Sequence, residues 1–331
     1  MFSLYPQSKI LKQPRVEDPD DIRLGAFVNI PTSSLLSDFI HQIKENDIVL
    51  WGYADDRGVD RNGGRTGASE GPDEIRRFLY AMTPGIDMNG RSSKIWDLGN
   101  LKSWSYSLNE AHEEARRIVG NVRRQGAKII TLGGGHDWAF SDFVDFPQHF
   151  ESQNPQLLNL DAHLDMRPLG DDPENAEHSG TPYRRILMEN SRRNTPCSLA
   201  VFGLQHHCNA LSHLKWAHGQ RCVTQFLEEM PENLSEQWDL LKSRAELSDK
   251  KILGLSIDLD VFDSAHAPGV SAPQAYGIHP RIALKLIDEM SSQIQHFGIY
   301  EYNPRYDLDF KTARLAAKLI HQLIYHWMLK A

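Results

Sequence analysis

The chain has 331 residues, 40% hydrophobic and 24% charged, enough apolar mass for one large α/β domain or two smaller ones. A formal charge of −8, with no basic run longer than a pair, gives no electrostatic footprint for nucleic acid or an acidic membrane. Cys197, Cys208 and Cys222 are an odd number without CxxC spacing, which excludes a disulfide framework and a thiolate metal site and suits a reducing cytoplasm.

The first twenty residues have no continuous apolar core of the secretory kind, and no stretch approaches the ~20 apolar residues of a membrane span. From residue 47 onward, short apolar runs alternate with longer amphipathic ones. Strands are expected at 47–54, 94–99, 127–135, 156–162, 198–205, 251–260 and 296–304. Several are apolar on both faces, as in a parallel sheet covered by helices. The Gly-rich stretch 56–74 is too long for an ordinary turn and reads as a loop of functional length leading into a helix. Helices are expected at 106–125, 136–147, 233–247 and 280–294. A terminal helix carries Leu315, Leu319, Leu323 and Trp327, with Ala316, Ile320, Ile324 and Met328 beside them. This alternation implies a single α/β domain over 1–331, with 1–45 as an extension flanking it.

Three expected strands end in metal-type ligands. GGGHD places His136 after three glycines, LLNLDAHLD ends in Asp161, His163 and Asp165, and LGLSIDLD ends in Asp258 and Asp260. Ligands gather at the carboxyl ends of strands in open α/β sheets. Alternate strand residues share a face, so each group is expected to converge. Buried carboxylates need neutralising partners. Two histidines and four aspartates form a hard, oxygen-rich set whose charge two divalent cations would balance, and which suits Mn²⁺ better than a structural zinc. Two such ions roughly 3.5–4 Å apart can lower the pKa of a shared water.

These motifs, in this order, resemble the arginase/agmatinase/formimidoylglutamase family, the ureohydrolases, from about residue 45 onward. The resemblance implies a three-layer α/β/α arginase-like fold with a central parallel sheet of about eight strands, and two Mn²⁺ per subunit. By it, His136 holds one metal, His163 and Asp260 the other, and Asp161 and Asp258 bridge them. Asp165 binds metal and passes a proton to the leaving nitrogen. Glu301, in GIYEYNP, faces the substrate's cationic group. The segments HSGTPYRRIL (178–187), EYNPRYDLDFKTARLAAKLI (301–320), 260–278 and 62–76 resemble the formimidoylglutamase group within that family. Ser179, not His178, falls at a position where arginases carry histidine, which argues against arginase itself.

That group's reaction splits N-formimidoyl-L-glutamate into L-glutamate and formamide, as in histidine degradation, by a hydroxide generated between the two metals. Its small-molecule substrate carries two carboxylates, so cations are expected nearby. Arg167 is the first candidate, with a pairing to Asp171 or Asp172 as the alternative; Arg61, Arg65 and Ser179 follow. The rivals are an agmatinase or other amidinohydrolase, whose cationic substrate calls for extra carboxylates, and a catalytically silent member. The family also implies a homo-oligomer, trimers and hexamers being common. Asp137 is read as support for the turn, His206 and His207 as surface residues, Cys208 as a passive thiol, and Asn303 and His279 as caps.

Overall fold

A computed structural model describes residues 2–3, 21–33, 35–101, 103–170 and 176–330. Its sheet contains β1 (Phe2–Ser3), β2 (Val28–Asn29), β3 (Ile48–Gly52), β4 (Ile95–Leu101), β5 (Lys128–Leu132), β6 (Pro155–Leu160), β7 (Ser198–Leu204), β8 (Val223–Phe226), β9 (Ile252–Asp258) and β10 (Ile294–Tyr300). The order is β1-β4-β3-β5-β10-β9-β6-β7-β8, with β2 pairing β4 off that path. All pairings are parallel except β1 with β4. The eight strands of four residues or more, β3 to β10, form the expected parallel core.

Helices cover both faces because the strands are apolar on both. Along β3, Ile48 and Leu50 enter one core cluster while Val49 and Trp51 enter the other. The first cluster contains residues of the helices Gly71–Tyr80, Pro280–Met290 and Lys311–Leu329. The second contains residues of Leu108–Arg124, Ala139–Phe143 and Pro182–Arg192. The terminal helix buries Leu319, Leu323 and Trp327 as expected, whereas Leu315 is only partly buried. Leu108–Arg124 starts with a capping box in which Ser107 and Glu110 satisfy each other's backbone N–H groups.

Several local expectations are corrected. The helix expected at 136–147 is a 3₁₀ turn, His136–Trp138, followed by Ala139–Phe143 and then Phe146–His149, whose N-terminal turn contains Pro147. The stretch 56–74 is not one loop: it holds a short helix, Arg57–Arg61, a 3₁₀ turn and the start of Gly71–Tyr80. Strand β8 went unrecognised, because four residues reading Val-Thr-Gln-Phe carry little periodic signal.

Candidate metal centre

The four middle strands of the sheet, β5-β10-β9-β6, end side by side and supply every strand-end acid and imidazole named above. His136 follows β5, Glu301 follows β10, Asp258 ends β9 with Asp260 just beyond, and Asp161, His163 and Asp165 follow β6. Gly134 makes the β5 turn possible: a Cβ there would lie 1.9 Å from the Asp55 carbonyl oxygen.

Convergence does not come from strand alternation, since β6 ends at Leu160 and β9 at Asp258. It comes from the same local device used twice. Asp161 Oδ1 accepts the His163 N–H at 2.7 Å, and Asp258 Oδ1 accepts the Asp260 N–H at 2.9 Å. Each is an Asx-type turn that fixes the carboxylate and points its second oxygen away from the turn. Both second oxygens aim at one atom: Asp161 Oδ2 lies 3.1 Å and Asp258 Oδ2 3.2 Å from His136 Nδ1. Asp165, held at φ 50°, brings its Oδ2 to 2.9 Å from the same nitrogen.

His136 is fully buried, and its Nδ1 has no hydrogen-bond partner although three carboxylate oxygens surround it. Its Nε2 is engaged by Ser256 Oγ at 3.0 Å, while the Tyr300 ring stacks on the imidazole at 4.8 Å. A buried nitrogen fixed in orientation yet unpartnered among acids fits a cation better than a proton. A second group lies alongside. His163 Nδ1 is 3.0 Å from Asp260 Oδ2 and 3.6 Å from Asp161 Oδ1, and Asp260 Oδ1 is likewise without a partner. His136, Asp161, Asp165 and Asp258 can converge on one ion and Asp161, His163 and Asp260 on another, with Asp161 common to both.

The electrostatics describe the same cluster. Burial pushes Asp258 well above the usual carboxylate range, with Asp260 and Asp161 adding to it. Burial and the Asp161 charge raise Asp165 to about 6. Burial pulls both imidazoles down, but their neighbours more than reverse this: Tyr183 and three carboxylates at His136, and chiefly Asp260 and Asp161 at His163. Such a group holds protons tightly when it lacks a cation.

Glu301 sits at φ 65°, 3% exposed, with both oxygens engaged: Oε1 accepts the His136 backbone N–H at 2.8 Å and Oε2 the Ser271 hydroxyl at 2.6 Å. Burial raises it to about 8 against those two hydrogen bonds. It lines a cavity of about 250 Å³ together with Asp165, Asp258, Asp260 and His163. Arg167, Ser179, Asn62, Asn209, His213 and Cys208 complete much of the wall.

Among the arginine candidates, only Arg167 lines this cavity, and its side chain has no hydrogen bond or ion pair among the described residues. The alternative pairing with Asp171 or Asp172 lies outside the described residues. Arg61 instead donates to the Glu177 carbonyl at 3.3 Å. The Arg65 guanidinium is taken up by the carbonyls of Val270 and Ser271, so it is not available as a carboxylate clamp. Ser179 Oγ accepts from Asn62 Nδ2 at 3.0 Å, whereas His178 is turned to the Gly180 N–H and lowered to about 4 by burial and then by Arg167 and Arg61. Cys208, read as a passive thiol, stands on the cavity wall, where the turn after β7 places it. Asn303 and His279 are caps, of Pro304–Tyr306 and Pro280–Met290.

Sequence reasoning missed Ser256 and Asn159. The signal was present, since each is a polar residue in an apolar strand two places before a ligand-type aspartate. Asn159 Nδ2 donates to Asp161 Oδ2 at 3.0 Å. Ser271 carried no such signal.

Residues 46–325 match the family model described as Arginase: Arginase family. The chain belongs to the arginase family. Within that family it is 34% identical to the formimidoylglutamase of Salmonella paratyphi B, over 99% of this chain and all of that one. A crystal structure of Trypanosoma cruzi formiminoglutamase with Mn²⁺ superposes with a TM-score of 0.74 at 25% identity, covering 93% of this chain and 99% of that one. The structure of the Bacillus subtilis formimidoylglutamase shares the fold over 98% of both chains, with a TM-score of 0.78 at 20% identity.

Proposed function

We propose that this arginase-family chain hydrolyses N-formimidoyl-L-glutamate to L-glutamate and formamide at a centre for two Mn²⁺. The observation that carries the reading is the unpartnered Nδ1 of buried His136 facing Asp161, Asp165 and Asp258, next to a second group around His163. His136, Asp161, Asp165 and Asp258 would hold one ion. His163, Asp260 and Asp161 would hold the other, with Asp258 completing the bridge. Two such ions supply a strong nucleophile near neutral pH by acidifying a shared water.

The remaining work falls to side chains. Glu301, whose ionised form the amidinium's positive charge favours on binding, grips the planar amidinium and turns its carbon toward the cluster. Asp165, largely buried but on the cavity wall and raised to about 6, delivers a proton to the departing α-nitrogen of glutamate. Arg167 meets a substrate carboxylate as a fork, and the Asn62–Ser179 pair offers neutral polar contacts on the same wall. Among the described residues the acids lining the cavity are Glu301 and three of the proposed ligands, and none of these residues supplies an additional carboxylate for a second cation such as the free amine of agmatine. That arrangement favours a dicarboxylic amidine.

Among the described residues, no helix is long and apolar enough to cross a membrane. We read the protein as one arginase-like domain over 1–331, cytoplasmic and homo-oligomeric. Its three free cysteines and the family match beginning at residue 46 support the compartment and the flanking role of 1–45. The deciding experiment supplies Mn²⁺-loaded protein with N-formimidoyl-L-glutamate, arginine and agmatine in parallel. Formamide from the first alone is the expected result; urea from either guanidine would reassign the substrate.

A further inference from the structure

Arg65 makes contacts that reach the active-site carboxylate by a single intermediary. Its Nη2 donates to the Val270 carbonyl at 2.7 Å and its Nε to the Ser271 carbonyl at 3.1 Å. The guanidinium lies over the Tyr306 ring, 4.0 Å from its centroid. From the other side, Asn303 Nδ2 donates to the carbonyls of Arg65 and Thr66 at 2.9 and 3.0 Å. Val270 also bridges Tyr302. The Gly-rich loop, the strap at 270–271 and the segment after β10 are thus tied together at one guanidinium. A planar fork suits two adjacent carbonyls as a point-charge ammonium does not.

The strap carries the Ser271 hydroxyl, which donates to Glu301 Oε2 at 2.6 Å. The other carboxylate oxygen is held by the His136 N–H, and the Glu301 N–H by the Gly134 carbonyl at 2.9 Å. Remove the Ser271 donor and the carboxylate keeps one anchor, about which it can rotate. We propose that Arg65 is a positioning residue: by fixing the Val270–Ser271 strap it sets the Ser271 hydroxyl on Glu301 and so aims that carboxylate into the cavity. This rests on the reading that Glu301 receives the substrate's amidinium.

A residue that aims a binding group acts mainly on KM, because the grip is made in ground and transition states alike. One that merely keeps the chain folded lowers the active fraction, hence kcat, and leaves KM alone. The test compares the Mn²⁺-loaded protein with R65A, S271A, the double variant and R65K, using N-formimidoyl-L-glutamate kinetics, bound Mn²⁺ and melting curves. A lost hydrogen bond to a charged group corresponds to about tenfold in KM for each of R65A and S271A. Because the two lie on one path, the double variant should be no worse than the worse single. R65K, which keeps the charge but not the fork, should fall between.

A second readout needs no turnover. Amide exchange at His136 and across 269–274 should quicken in R65A and S271A, since the His136 N–H is bonded to the carboxylate being loosened. Penalties that multiply, a loss confined to kcat, or unchanged exchange at His136 would overturn the inference. If the parent protein releases no formamide, the substrate reading fails, while the exchange experiment still decides whether Arg65 governs Glu301.

Discussion

His112 and Asp137 meet 2.7 Å apart in the fully buried layer behind the turn that presents His136. Arg185 Nη1 donates to His112 Nδ1 at 2.9 Å, so the imidazole carries its proton on Nε2 and donates it to the Asp137 carboxylate. Burial, then Arg185, keeps His112 well below its ordinary pKa and therefore neutral. Burial and nearby Asp55 push Asp137 up to about 7. His112→Ala strands a buried carboxylate one residue from a proposed ligand. We expect a loss of about 2–4 kcal/mol in stability and about 10–100-fold in Mn²⁺ affinity. Denaturant unfolding and metal titration would measure the two. Unchanged metal affinity would limit the pair to a structural role.

Asp258 accepts from the Asp260 backbone and faces His136, so no neighbouring side chain can replace it. Asp258→Ala should retain at most one Mn²⁺ per chain after dialysis, with hydrolysis lost. Elemental analysis beside the formamide assay gives the answer. Two retained ions and normal turnover would refute the ligand assignment.

Protons and metal compete for this cluster. Asp165 is raised to about 6, and His136, His163 and Asp258 stand above their ordinary values. Each raised group holds its proton to a higher pH, and a cation must displace it. Raising pH removes the competitor, so affinity rises with pH and falls in acid. Each displaced proton contributes about tenfold per pH unit below the group's pKa. Competition titrations against a chelating dye at about pH 6 and about pH 8 should therefore show the tighter binding at pH 8, with about twofold coming from Asp165 and up to about tenfold per pH unit from each group that holds its proton above that interval. Equal affinities would mean that the cluster carries no displaceable proton in that interval.

Arg167 supplies a guanidinium on the cavity wall without another partner among the described residues. Arg167→Ala should raise KM for the dicarboxylate by about 10–100-fold while kcat changes much less. Steady-state kinetics with N-formimidoyl-L-glutamate would show the split. A KM within about twofold of the parent's would place the carboxylate contact elsewhere.

The cluster was legible in the sequence because it contradicts its surroundings: acids directly after LLNL and ILGLSI have no reason to be buried unless something neutralises them. The sheet was legible for the complementary reason, since double-sided burial writes unbroken apolar runs such as Ile48–Trp51 and Leu199–Phe202. What escaped depends on backbone direction after the strands end. Alternation along a strand brought the right residues together for the wrong reason, the Asx-type turns at Asp161 and Asp258 being the actual cause.

Arginine roles were less readable. Arg61, Arg65 and Arg167 look alike as letters. Only long-range contacts separate one that grips Val270 and Ser271, 205 and 206 residues away, from one that lines the cavity. Strand β8 and the broken 136–147 helix were lost for shortness, since a few residues do not establish a period.

The strand order has a consequence for how the protein comes into being. β9 and β10 are the last strands of the chain, yet they occupy the gap between β5 and β6. His136 and Asp161 follow those two earlier strands and stand three sheet positions apart, so neither can share an ion until the late pair has slotted between them. A ribosome-bound chain that has emerged only as far as β8 offers scattered acids and no cage. Tight ion capture therefore certifies a finished molecule, and the cation acts as a latch on the last step of folding rather than a seed for the first.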